Sequence, residues 1–157
     1  MATALKIPQD AINAHLPPAH INAGLSTLIV PICGLDTILS ISPDIENLKI
    51  FCEQNNIDII EVFSEEVQSQ SSDYRVRVFA PRFGYLEDPA TGSGNSAFGY
   101  YLKLHSRFAK ETITIEQNAS RDHFNIVKLQ RSKNEEGSDR ILFGGAAITR
   151  IRGSYLL

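Results

Sequence analysis

Short apolar runs alternate with polar punctuation along most of the chain, and nearly every run has a length that suits a strand. Residues 25–30 and 35–41 are apolar and partly β-branched, and Pro31, Ile32, Cys33 and Gly34 between them predict two strands joined by a turn. Ser42, Pro43 and Asp44 form a helix start, with a cap, a proline at the first position and an acid in the first turn. Ile45, Leu48, Phe51 and Cys52 then share one face of a surface helix that stops near Asn55 and Asn56. A third strand is predicted over 57–63, followed by a loose polar connection over 64–72. Residues 74–79 alternate as a half-buried strand should. Further strands are predicted over 112–117, 124–130, 140–143 and 146–151, with a polar excursion at 131–139 and a tight turn or bulge at Gly144 and Gly145. Ahead of these, 8–16 predicts a short helix with Ile12 and Leu16 on one face, and Pro17 and Pro18 end it in an extended crossing segment.

One stretch departs from this rhythm. Residues 83–95 read as an acidic loop entering a helix, in which Pro89 ends any regular element and Gly92 and Gly94 bracket Ser93 so that the backbone turns sharply. Ser93 or Asn95 then caps a helix reaching to about residue 108. Ala97, Phe98, Tyr100, Tyr101, Leu102 and Leu104 leave it no clean polar stripe before Lys103, His105 and Arg107. A helix apolar on nearly all sides has to be surrounded by protein. Eight strands, one surface helix and one helix in need of burial predict an α+β fold, a mixed, curled sheet or β-barrel wrapped around a central helix in a single domain. Unpaired N–H groups and the positive end of the macrodipole make the start of that helix, at Thr91, Gly92, Ser93, Gly94 and Asn95, a site for a small anion.

Composition narrows the chemistry. A chain of 157 residues suits one domain, and a net charge of −3 with mixed signs provides no basic patch for nucleic acid. Two cysteines without CxxC spacing, and no histidine pair at ligand spacing, suggest neither a disulfide framework nor a metal site. No signal pattern opens the chain and no apolar run approaches about 18 residues, so the expectation is a cytoplasmic protein without a membrane partner. Gly92, Gly94 and Ala97 fit a dinucleotide-binding pattern, but no predicted strand runs directly into them. Asp88 has two readings, a proton-handling carboxylate or a loop aspartate bonding the backbone after itself.

The string Arg77-Val78-Phe79-Ala80-Pro81-Arg82-Phe83-Gly84, followed by Glu87-Asp88-Pro89-Ala90-Thr91-Gly92-Ser93, resembles the signature of the phenazine-biosynthesis isomerase-like (PhzF-like) family. Leu16-Pro17-Pro18 onward resembles that family's entry into its second domain, and Gly144-Gly145-Ala146 onward its final hairpin. The resemblance divides the chain into an amino-terminal segment, 1–22, and a family carboxyl-terminal domain, 23–157, with the family's first domain absent. It implies a diaminopimelate-epimerase-like fold and cofactor-independent proton transfer at carbon, with no cofactor and no metal, in which a glutamate of the first domain is the principal acid/base. Asp88 matches the second domain's acidic residue, and Ser93 a helix-start residue that holds a substrate carboxylate. The partners it implies are a small carboxylate ligand and either a homodimer or a separate first-domain polypeptide. Asn118, Asp122, His123, Phe124 and Asn125 depart from the family's usual residues, and His123 stands where an arginine is expected.

Overall fold

β-Branched and aromatic runs separated by turn residues settle into one eight-stranded sheet in the computed structural model, which describes residues 1–155. The last two residues of the 23–157 unit lie outside the described residues. In chain order the strands are β1 (Ala19–Asn22), β2 (Ser26–Pro31), β3 (Ile59–Ser64), β4 (Tyr74–Phe79), β5 (Glu87–Asp88), β6 (Thr112–Gln117), β7 (Asn125–Lys133) and β8 (Asp139–Gly144). Their spatial order is β1-β2-β3-β4-β6-β7-β8, with the short β5 paired to β4. β2 runs parallel to β3 and β4 parallel to β6, while the remaining pairs are antiparallel, so the fold is mixed α+β.

The long apolar helix, α4 (Gly92–Leu104), packs on the inner face of the sheet. It touches β1 at one edge and β8 at the other, as well as β2, β3 and β7, so the sheet curls around it. This is the surround that its sequence demands. Ala97, Phe98, Tyr101 and Leu102 are buried against Phe63, Val76, Ile115 and Leu129. The Phe98 ring lies 4.7 Å from Phe63 and meets Tyr74 edge-on at 5.2 Å, contacts worth about 0.5–1.5 kcal/mol each beyond the area they bury. Tyr101 donates its hydroxyl to the Pro17 carbonyl at 2.9 Å, which ties the crossing segment to the helix, and burial pushes its pKa up to about 12. The helix stops at His105, short of residue 108, because Ser106 adopts a left-handed φ of 56°.

Three helices cover the outer face: α1 (Ala2–Leu5), α2 (Leu35–Ser40) and α3 (Ile45–Gln54). Leu5, Ile38, Leu48 and Cys52 pack there against Val30, Ile60, Val62 and Phe79. β3 and β4 are therefore buried on both faces. No helix among the described residues is long and apolar enough to cross a membrane.

Several local expectations change. Instead of a strand over 35–41, residues 35–40 form α2, since Leu35 and Ile38 lie one turn apart on the buried side and the Leu35 N–H donates to Glu66 Oε2 at 3.0 Å. The expected 8–16 helix shrinks to a 3₁₀ turn at Gln9–Ala11, because the chain beyond it is drawn out beside the end of β2. Ile12 bridges Ile32 there, and the Asn13 N–H donates to the Pro31 carbonyl at 3.0 Å. The α3 cap is Asp44, whose side chain accepts the Asn47 N–H at 2.9 Å, two residues later than the cap read from sequence. β7 and β8 extend into the 131–139 excursion and meet at a turn where Gly137 has φ 80°. Residues 146–151 form no strand and are exposed, so among the described residues β8 pairs only with β7. β1 and β5 complete the eight instead.

Candidate functional site

The acidic loop is folded back onto β4, where one ion pair ties it down. After β4, a 3₁₀ turn (Pro81–Phe83) and Gly84, at φ 87°, return the chain so that Glu87 and Asp88 pair with Phe79 and Val78. Glu87 receives a two-pronged bond from Arg77, at 3.0 and 2.8 Å, and is structural. The other arm of that guanidinium donates to the carbonyls of Ile38, Leu39 and Ile41, satisfying groups that the end of α2 leaves open.

Asp88 is half-buried in front of α4. Its Oδ2 accepts the Thr91 hydroxyl at 2.7 Å, and its Oδ1 accepts the Ala90 N–H at 3.4 Å. Gln117, at the end of β6, closes the group: its Nε2 donates to the Asp88 carbonyl at 2.9 Å and to Thr91 Oγ1 at 3.0 Å. Its Oε1 accepts the Thr91 N–H at 3.1 Å and Asn95 Nδ2 at 2.7 Å. Because the Thr91 N–H can only donate, this network fixes the orientation of both amides. Thr91 is the N-cap residue, so neither Ser93 nor Asn95 caps the helix; both lie within α4, and Asn95 is wholly buried with its Nδ2 also on the Thr91 carbonyl at 2.7 Å. No hydrogen bond of the described residues engages the N–H groups of Gly92, Ser93 or Gly94.

A cavity of about 780 Å³ opens beside this helix start, lined by Thr91, Gly92, Phe124, Asn125, Phe143 and Ala146 among others. Phe143 lays its ring against Gly92 so closely that a Cβ there would collide with it. Asn125 donates to the Pro89 carbonyl at 2.8 Å. Phe124 lies under the fully buried guanidinium of Arg75, 5.1 Å from its ring, and Arg75 also donates to the carbonyls of Asn118 and Ser120. The departed segment is thus held by Arg75. His123 has an exposed side chain and joins that segment through its backbone.

The profile of the family described as "Phenazine biosynthesis-like protein" (PhzC-PhzF) matches residues 1–153. The chain belongs to the phenazine biosynthesis-like family. Its relatives include "Antisense-enhancing sequence 1" of Schizosaccharomyces pombe, 28% identical over 155 residues, with 98% of this chain and 51% of the relative covered. "Uncharacterized isomerase YddE" of Escherichia coli O157:H7 is 29% identical over 158 residues, covering 98% of this chain and 52% of the relative. The crystal structure of a PhzF-family phenazine biosynthesis protein of Bacillus anthracis shares the fold, with a TM-score of 0.71 at 21% identity over 94% of this chain and 54% of that one. The chain spans about half the length of the relatives it matches.

In this phenazine biosynthesis-like chain the sequence reading missed Gln117 and Phe143 as members of the candidate site, and it marked Asn125 only as a departure from the family. For Gln117 a signal existed: it is the polar member of the alternate positions 113, 115 and 117, whose other two residues are core. Nothing in the sequence singles out Glu61. It is wholly buried on β3, neither carboxylate oxygen has a partner among the described residues, and Oε2 lies 2.6 Å from where a Cβ on Gly94 would stand. Burial pushes its carboxyl well above the usual glutamate range. Cys33 and Cys52 are free thiols, and burial raises Cys52 to about 11, which disarms it as a nucleophile. Among the described residues no group of three or more His, Cys, Asp and Glu side chains could hold a metal.

Proposed function

We propose that this chain is half of an isomerase site of the phenazine biosynthesis-like type, on a diaminopimelate-epimerase-like domain, which moves a proton between carbons of a small carboxylate substrate without a cofactor. The observation that carries the reading is the Asp88–Thr91–Gln117–Asn95 network, set beside three open N–H groups and a cavity. The N–H groups of Gly92, Ser93 and Gly94 receive the substrate carboxylate, an interaction worth up to about 2 kcal/mol when partly buried. Asp88 retains lone pairs beyond those given to Thr91 and Ala90, and with them it orients the substrate or handles its proton. Proton transfer at carbon also needs a base at the reacting atom, and a positioned acid/base contributes about 10²–10⁴-fold. That group comes from a second polypeptide carrying the family's other half or from a second copy of this chain. The exposed rings of Phe83 and Tyr85 on the loop that precedes β5 suit such a contact.

A second reading draws on the same carboxylate. Asp88 bonds the N–H and hydroxyl of the residues directly after it, as a purely structural loop aspartate does, and this favours a non-catalytic module that binds small anions. Deuterium exchange from solvent into candidate carboxylates separates the two. The isomerase reading expects exchange when the chain is mixed with the family's other half, or by the chain alone where a second copy completes the site, and in either case a drop of about 10²-fold or more for Asp88→Asn. Exchange that Asp88→Asn leaves unchanged contradicts the reading. No exchange in any sample leaves the binding module.

A further inference from the structure

Glu61 lies between Ile29 of β2 and Val78 of β4, with Ile59 along its own strand and the Gly94 backbone and Thr91 methyl above it. β2, β4 and α4 therefore present it with no titratable or charged group, and the nearby buried hydroxyl of Thr27 is already given to the Leu25 carbonyl. A carboxylate in this place is an uncompensated buried charge, whereas a carboxylic acid is neutral and carries one O–H donor. Asn95 is wholly buried with its Oδ1 unpartnered, and its amide cannot turn round because Nδ2 is held by the Thr91 carbonyl and Gln117 Oε1.

We propose that Glu61 is a positioning residue that keeps its proton at neutral pH and seats the first turn of α4, so that the arrangement of Thr91, Asn95 and the Asp88 loop depends on that proton. The inference goes beyond the isomerase reading and holds whatever the site binds. Ionised Glu61 has to move toward water, and Gly94, packed directly on Oε2, moves with it. The raised pKa of the folded state fixes the sign of the pH dependence. Below the ordinary glutamate value of about 4.3 both folded and unfolded chains hold the proton, and its contribution to stability is complete. Above that value the unfolded chain releases it first, so stability falls as pH rises and levels off once Glu61 itself titrates. In that window the folding constant of the native chain drops by up to about tenfold per pH unit relative to Glu61→Gln.

The test uses the full chain labelled with ¹³C at glutamate carboxyls, followed by NMR from about pH 5 to about pH 9, alongside urea unfolding of native and Glu61→Gln chains. The expected result is a Glu61 carboxyl still protonated where the exposed glutamates have ionised, and a Glu61→Gln advantage that grows with pH. Should Glu61 titrate within the range, the amide signals of Gly94 and Asn95 move at the same midpoint. A Glu61 signal that ionises with the exposed glutamates, a flat stability ratio, or amides that ignore the titration overturns the proposal. If Glu61→Gln does not fold, the carboxyl signal, assigned through bonds to residue 61 in the native chain, decides alone.

Discussion

Two glutamates flank β4 in the sheet order, Glu61 on β3 and Glu116 on β6, and both are wholly buried. Glu116 accepts Arg75 Nη1 at 3.2 Å and the N–H groups of Gln68 and Ser69 at 3.0 and 2.6 Å. Burial lowers the Arg75 pKa and Glu116 works against that, yet a guanidinium stays charged at any pH a folded chain tolerates. Glu61, on the opposite face of the sheet, has no partner for either oxygen. Burial alone does not decide whether a carboxyl carries charge; its partners do. The paired glutamate fastens the 68–69 and 118–120 segments around a charge, and the unpaired one works as a neutral acid against the start of α4.

Replacing each glutamate puts the contrast to the test. Glu116→Ala leaves Arg75 buried without its counter-charge and two N–H groups unmet, and urea unfolding should record a loss of about 3–5 kcal/mol. Glu61→Met fills a similar volume without an unsatisfied polar group, so near pH 7 it should gain about 1–3 kcal/mol, opposite in sign to its counterpart. A loss of that size at Glu61 would mean the carboxyl has a partner. Gly94→Ala forces a methyl onto Glu61 Oε2 and should cost about 1–3 kcal/mol, of which roughly 1 kcal/mol returns when Glu61 is also shortened to alanine. A double-mutant cycle showing strict additivity would separate Glu61 from the helix start.

The same contrast explains what could be read in the sequence. The apolar surround of α4 demanded an enclosing sheet, and Ala97, Phe98, Tyr101 and Leu102 are indeed enclosed. Glycines and an acidic loop marked where the helix begins. β4 reads as half-buried because Arg75 and Arg77 look like a solvent face; their burial rests on Glu116, Asn118 and the carbonyls of α2, all remote in sequence. Residues 35–41 are apolar enough for a strand, and only the packing of Leu35 and Ile38 makes them helical. At the candidate site, Asp88 and residues 91–95 carried local signals, whereas Gln117 and Phe143 arrive on β6 and β8, strands remote from them in sequence. Their place depends on register, which no short window contains.

The claim that matters most for function is that the start of α4 receives a small carboxylate. Titrating the ¹⁵N-labelled chain with acetate and succinate, with methylammonium as the cationic control, tests it most directly. The account predicts saturable movement of the Gly92, Ser93 and Gly94 amide signals with both anions and none with the cation; still signals at these three residues, or equal movement with methylammonium, would contradict it.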